Sequence, residues 1–125
     1  MYQYYNPNPL GKLTGDCVIR AVSRATKQDW DRTFIELALQ SFMMKDMPSS
    51  NAVWGAYLQN KGFRQYPIND ICDECDTVID FVNNNPYGEF ILATGTHVIF
   101  VKDGTYYDSW DSGHELVTTY WRKEN

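Results

Sequence analysis

Three side chains far apart in the chain have the types and order of a nucleophilic site: Cys17, then His97, then Asp108. Cys17 lies in Gly15-Asp16-Cys17-Val18-Ile19-Arg20-Ala21-Val22, where a turn-forming Gly-Asp pair runs directly into a helical apolar pattern. The thiol is therefore expected at a helix N-terminus. First-turn backbone N–H groups and the positive end of the helix dipole stabilise an anion there, and the thiolate, not the thiol, is the nucleophile. An unperturbed thiol, with a pKa of about 8.5, is only slightly ionised at neutral pH and needs a neighbouring base. His97, in Gly95-Thr96-His97-Val98-Ile99, opens an expected strand from which it could reach a helix end. Asp108 would accept the Nδ1–H of His97 and fix the ring, leaving Nε2 toward the sulfur.

A hairpin would bring the last two together. Asp103-Gly104 is a strong two-residue turn signal, and centring the turn there sets Lys102 opposite Thr105 and Val98 near Ser109. His97 and Asp108 then become cross-strand neighbours within one register step. Blander readings exist for each residue. Cys17 could be a small buried hydrophobe, His97 a surface histidine on a strand, and Asp108 an aspartate ending a strand. His114, in the loop Ser112-Gly113-His114-Glu115, could serve as base instead, with Asp111 as its partner.

Acyl transfer also requires donors for the developing oxyanion. The backbone N–H of Cys17 is one; Asn6, Asn8 and Thr14 are candidates for a second, and the sequence does not choose among them. Trp110, beside the aspartate, could shield its hydrogen bond from water. Arg20, one turn after the cysteine, is expected to pair with Asp16 or another acid, without a catalytic role.

The segment Cys72-Asp73-Glu74-Cys75 carries two thiols at metal spacing, but a zinc site needs four ligands and no second such pair exists. The surrounding acids would also raise the thiol pKa values, which disfavours a redox pair. A connector between helices is expected, with no metal and no cofactor.

The elements that must position these residues follow from periodicity. Residues 1–15, with Pro7, Pro9, Gly11 and Gly15, suit an irregular arm. Helices are expected over Cys17–Ala25, over Trp30–Phe42 with Asp29 as N-cap and Trp30, Phe34, Leu37, Ala38 and Ser41 inward, from Ser49 or Ser50 to Gly62, and over Val78–Asn83 behind Thr77. Strands are expected over Phe90–Ala93, Val98–Val101, Thr105–Tyr107 and Leu116–Trp121. Helices first and antiparallel strands second give an α+β class, N-terminal helices packed on a small C-terminal antiparallel sheet.

Composition narrows the functional classes. A chain of 125 residues, 43% hydrophobic and 15% aromatic, fits one domain spanning 1–125 with one packed core. The net charge of -5, with eleven scattered Lys and Arg, lacks the basic stripe of a nucleic-acid binder. Apolar runs fall short of the ~18 residues of a membrane span, the first residues lack a signal-peptide pattern, and three cysteines is an odd number, so a soluble protein of a reducing cytoplasm is expected.

Gly15-Asp16-Cys17-Val18-Ile19-Arg20-Ala21, Gly95-Thr96-His97-Val98-Ile99 and Asp103-Gly104 followed by Asp108-Ser109-Trp110 together resemble the small papain-like cysteine peptidases of phages and bacteria, akin to the bacteriocin-processing branch. The likeness runs from about Asn8 to Trp110. It implies a papain-like fold, Cys17 as nucleophile, His97 as base and Asp108 as orienter, a protein or peptide substrate, and a host cytoplasm if the chain is phage-encoded. One departure stands out: such enzymes place an oxyanion-hole glutamine six positions before the nucleophile, and Gly11 stands there. Two other outcomes stay open, a non-catalytic phage effector or interaction domain on the same fold and a transglutaminase-like acyltransferase.

Overall fold

The computed structural model describes residues 1–68 and 76–124. In chain order the elements are β1 (Tyr2–Tyr4), α1 (Cys17–Thr26), α2 (Trp30–Met44), α3 (Asn51–Asn60), β2 (Phe63–Pro67), α4 (Val78–Asn84), β3 (Glu89–Ala93), β4 (Val98–Lys102), β5 (Thr105–Asp108) and β6 (Thr119–Lys123). The six strands form one mixed sheet in the order β1-β5-β4-β3-β6-β2. The fold is α+β.

The sheet is covered on both faces. Ile91 and Ala93 of β3 and Val98 and Phe100 of β4 pack with α1, α2 and α3 around Val22, Leu37, Trp54 and Leu58. The alternate residues Phe90, Leu92, Ile99 and Val101 pack with Val78, Phe81 and Val82 of α4. This explains why β3 and β4 read as unbroken apolar runs, since neither face meets water.

Local chemistry sets the element ends. Asp29 caps α2 by accepting from the Arg32 backbone N–H at 2.7 Å. Thr77 and Asp80 form a reciprocal capping box on α4. Ser50 occupies the cap position of α3 without a side-chain cap bond. Asp103 and Gly104 take φ of 49° and 79°, the left-handed pair that a two-residue hairpin requires. The register puts Lys102 opposite Thr105, as the turn signal predicts.

Several expectations need correction. The sheet is neither purely antiparallel nor purely C-terminal, because β1 pairs in parallel with β5, Tyr4 opposite Asp108, within what was expected to be an irregular arm. β2 was also unforeseen. Both unforeseen strands are sheet edges with largely exposed, polar-rich segments, so neither carries the apolar alternation that marks a strand. β6 begins at Thr119, later than expected: Leu116 is half exposed and makes only an isolated bridge with Thr77. On α2, Phe34 faces outward and stacks on Trp30 at 5.2 Å, while Thr33 takes the buried position beside Leu37. The Cys72–Cys75 segment, with its expectations about metal, redox chemistry and a connector, lies outside the described residues.

Candidate active site

Cys17 is the first residue of α1 and is half-buried. The first N–H groups of a helix have no intrahelical acceptor, so the sulfur sits beside unspent donors. His97 directly precedes β4, is 9% exposed, and is held by its carbonyl, which accepts from the Thr94 N–H at 2.8 Å. The His97 ring and the backbone N–H of Val98 lie close enough to the Cys17 sulfur to act on its ionisation. Nε2 of His97 lies 2.6 Å from Asp108 Oδ2.

Asp108 therefore holds Nε2, which leaves Nδ1 for the sulfur, the reverse of the expected assignment. Asp108, at the end of β5, meets the ring at Nε2. The triad itself assembles as three residues, and His114 does not take part: it is exposed, and the Asp111 carboxylate is engaged by the Tyr106 hydroxyl and the Gly113 N–H.

Asp108 is fully buried, and each oxygen of its carboxylate has two donors. Oδ1 accepts from Arg20 at 2.9 Å and from the Ser109 N–H at 2.8 Å. Oδ2 accepts from His97 and from the Ser112 hydroxyl, both at 2.6 Å. Its backbone carbonyl accepts from the Tyr2 hydroxyl at 3.1 Å and the Tyr5 N–H at 2.8 Å, so the N-terminal strand clamps the orienting residue.

Arg20 is the residue of the candidate site that sequence alone underrated. It is 4% exposed and bridges two carboxylates, Asp16 Oδ1 at 2.7 Å and Asp108 Oδ1 at 2.9 Å. The other oxygen of Asp16 accepts from the Trp30 indole N–H at 2.9 Å. Asp16 precedes Cys17 and makes no side-chain cap bond; its carboxylate is spent on Arg20 and Trp30. One guanidinium thus ties the helix start that carries the sulfur to the aspartate that orients the imidazole. The four-residue spacing of Asp16 and Arg20 was the available signal, and the link to Asp108 was not visible in it.

The electrostatic shifts of Cys17 and His97 both run toward a thiolate–imidazolium pair. Burial opposes charge on Cys17, but the His97 hydrogen bond and charge, the Val98 N–H and Arg20 together lower its pKa. Burial likewise opposes charge on His97, yet the hydrogen bonds to Asp108 and Cys17 and their charges raise it to about 9. Asp108 resists its own burial through His97, Ser112 and Arg20 and is held below the usual carboxylate range.

These shifts make a stability prediction. The raised His97 contributes stability that is complete below its unfolded value of 6.5 and is lost as pH rises through about 9. The lowered Cys17 contributes stability present above its unfolded value of 9.0 and lost as pH falls through the folded value. Between 6.5 and 9 a folded thiolate–imidazolium pair and an unfolded thiol–imidazole pair each hold one proton, so for a standing ion pair the two slopes oppose each other. The unfolding free energy of the parent protein is expected to be nearly flat over that window, whereas Cys17→Ser loses stability as pH rises. Urea titrations at half-unit pH steps read this directly, and parallel curves for the two proteins would contradict a standing ion pair.

The remaining candidates separate. Trp110, 45% exposed, lies over the imidazole with ring centroids 4.9 Å apart, so it covers the His97–Asp108 bond from one side. Asn6 donates from its amide to the Lys12 carbonyl and accepts from the Asn8 N–H, and Asn8 accepts from the Leu10 N–H. Both are engaged in folding their own loop. Thr14 is exposed, and its carbonyl accepts from the Asp16 N–H. The helix-start N–H of Cys17, which has no intrahelical acceptor, remains a candidate oxyanion donor. Among the described residues, no group of three His, Cys, Asp or Glu side chains is placed to hold a metal ion, and no helix is long and apolar enough to cross a membrane. Comparisons of the chain with protein-family models, curated proteins and solved structures found no match.

Proposed function

We propose that this chain is a papain-like cysteine hydrolase that cleaves a peptide, isopeptide or other amide bond through a thioester. The observation that carries this reading is the helix-start Cys17 beside a buried imidazole whose Nε2 is held by Asp108 at 2.6 Å. The Cys17 thiolate adds to the amide carbon, and the carbonyl electron pair moves onto oxygen beside the Cys17 N–H. The imidazolium then gives its Nδ1 proton to the departing amine nitrogen as the C–N bond breaks, leaving an acyl thioester. His97, now neutral, takes a proton from water; the hydroxide carbon–oxygen bond forms, and the thiolate leaves with imidazolium restored.

The test is to incubate the protein with a pooled library of proteome-derived peptides and map new termini by mass spectrometry. New termini are expected with the parent and not with Cys17→Ala; equal profiles would refute hydrolysis. Addition of a primary amine probe reports the acyltransferase alternative, since incorporation in place of cleavage marks transfer to amine. The interaction-domain alternative draws on one further observation, the exposure of Ile35, Leu39, Phe42 and Met43 along α2, each more than half exposed.

A further inference from the structure

One cleft, of about 390 Å³, opens between α3 and the β3–β6 side of the sheet. Its size lies within the usual range for a ligand site. It adjoins the proposed active site through the connection between β3 and β4. Thr94 stands in its wall and donates its N–H to the His97 carbonyl at 2.8 Å, and Trp54 and Ala93, also in the wall, belong to the packed cluster on which Cys17 rests.

The chemistry of the lining is selective. No Asp, Glu, Lys, Arg or His faces the cleft, while three carboxamides, Asn51, Gln59 and Gln65, and the hydroxyl of Thr119 do. Asn51 is oriented, because its Oδ1 accepts from the Trp54 indole at 3.1 Å and so its NH2 remains as a donor. Trp121, 3% exposed, also lines the cleft.

Resting on the thiol-hydrolase reading, we propose that this cleft is its specificity subsite and receives an uncharged carboxamide side chain, glutamine or asparagine, near the scissile bond. A charged side chain would be desolvated with no counter-ion. An aliphatic one would leave the amide and hydroxyl groups unpaired. A carboxamide offers both a carbonyl for the Asn51 donor and an NH2 for the glutamine carbonyls.

The experiment uses the full chain and three probes, acetyl-Gly-Gln-Gly-amide and its Glu and norleucine counterparts, titrated into Cys17→Ala and followed by amide and indole NMR. Saturable shifts of the Trp121 indole and of the Gln59 and Gln65 side-chain amides are expected with the Gln peptide, at concentrations about tenfold below those needed for the other two. No shift at these resonances, or equal affinity for all three, overturns the proposal. The parent is then alkylated with acetyl-Gln-Gly and acetyl-norleucyl-Gly chloromethyl ketones. A preference for the Gln reagent that shrinks in the exposed-rim variants Gln59→Ala and Gln65→Ala, with their iodoacetamide rates unchanged, places the subsite next to Cys17. An unchanged preference refutes that placement. Slow iodoacetamide labelling of Cys17 alongside an intact NMR preference would instead overturn the hydrolase reading and leave the carboxamide site standing.

Discussion

Across pH 6 to 8, iodoacetamide is expected to alkylate Cys17 of the parent protein at a nearly constant rate, whereas in His97→Ala the rate climbs about tenfold per pH unit, as for an ordinary thiol. The parent plateau reflects a sulfur already ionised by the imidazolium hydrogen bond, the Val98 N–H and Arg20. At pH 6 an ordinary thiol is ionised to roughly one part in three hundred, while a low-pKa thiolate is intrinsically a weaker nucleophile, so a net advantage of roughly tenfold is expected for the parent. The plateau should bend near pH 9, where His97 loses its proton. Peptide mass mapping assigns the label to Cys17 and separates it from Cys72 and Cys75. A parent rate that tracks that of His97→Ala through the whole range would remove the basis for a nucleophile at this position.

Arg20→Met is expected to destabilise the fold by about 3 kcal/mol or more at pH 7, because it leaves the buried carboxylates of Asp16 and Asp108 without their shared cation. Urea unfolding measures the loss. The penalty should shrink as pH falls toward 4, since protonating the orphaned carboxyls removes the uncompensated charge. A structural prop alone would change stability without touching the thiol. Arg20 as a positioning residue also predicts a shorter alkylation plateau, because an Asp108 no longer fixed by the guanidinium holds the imidazolium less well. Arg20→Lys is expected to recover little, as an ammonium lacks the planar fork that spans two carboxylates. A loss under about 1 kcal/mol with an unaltered plateau would dismiss the bridge.

The local parts of the site were legible from residues alone, because they rest on short-range rules. A Gly-Asp turn followed by Val18, Ala21 and Val22 in helical period puts Cys17 at the start of α1. An Asp-Gly pair with both residues at positive φ sets the β4–β5 register, and that register brings Asp108 within reach of His97. Caps at Asp29 and Thr77 were equally readable.

Other features were decided by packing between distant segments. Strict alternation along β4 would send His97 to the α4 side with Ile99 and Val101, yet His97 lies outside the ladder, where the pleat no longer dictates direction, and it meets Cys17 instead. Which ring nitrogen meets the carboxylate depended on how His97 and the end of β5 come together. Edge strands β1 and β2 were silent because one-sided, largely exposed pairing needs no apolar period. Asp16 looked like a cap and became half of a buried bridge, since Arg20 finds its second carboxylate 88 residues away. Sequence by itself determined the place of Cys17 at a helix end and the hairpin, where neighbours in the chain set the backbone; only the tertiary structure decided the charge network, because a buried ion is held by whatever the fold brings to it.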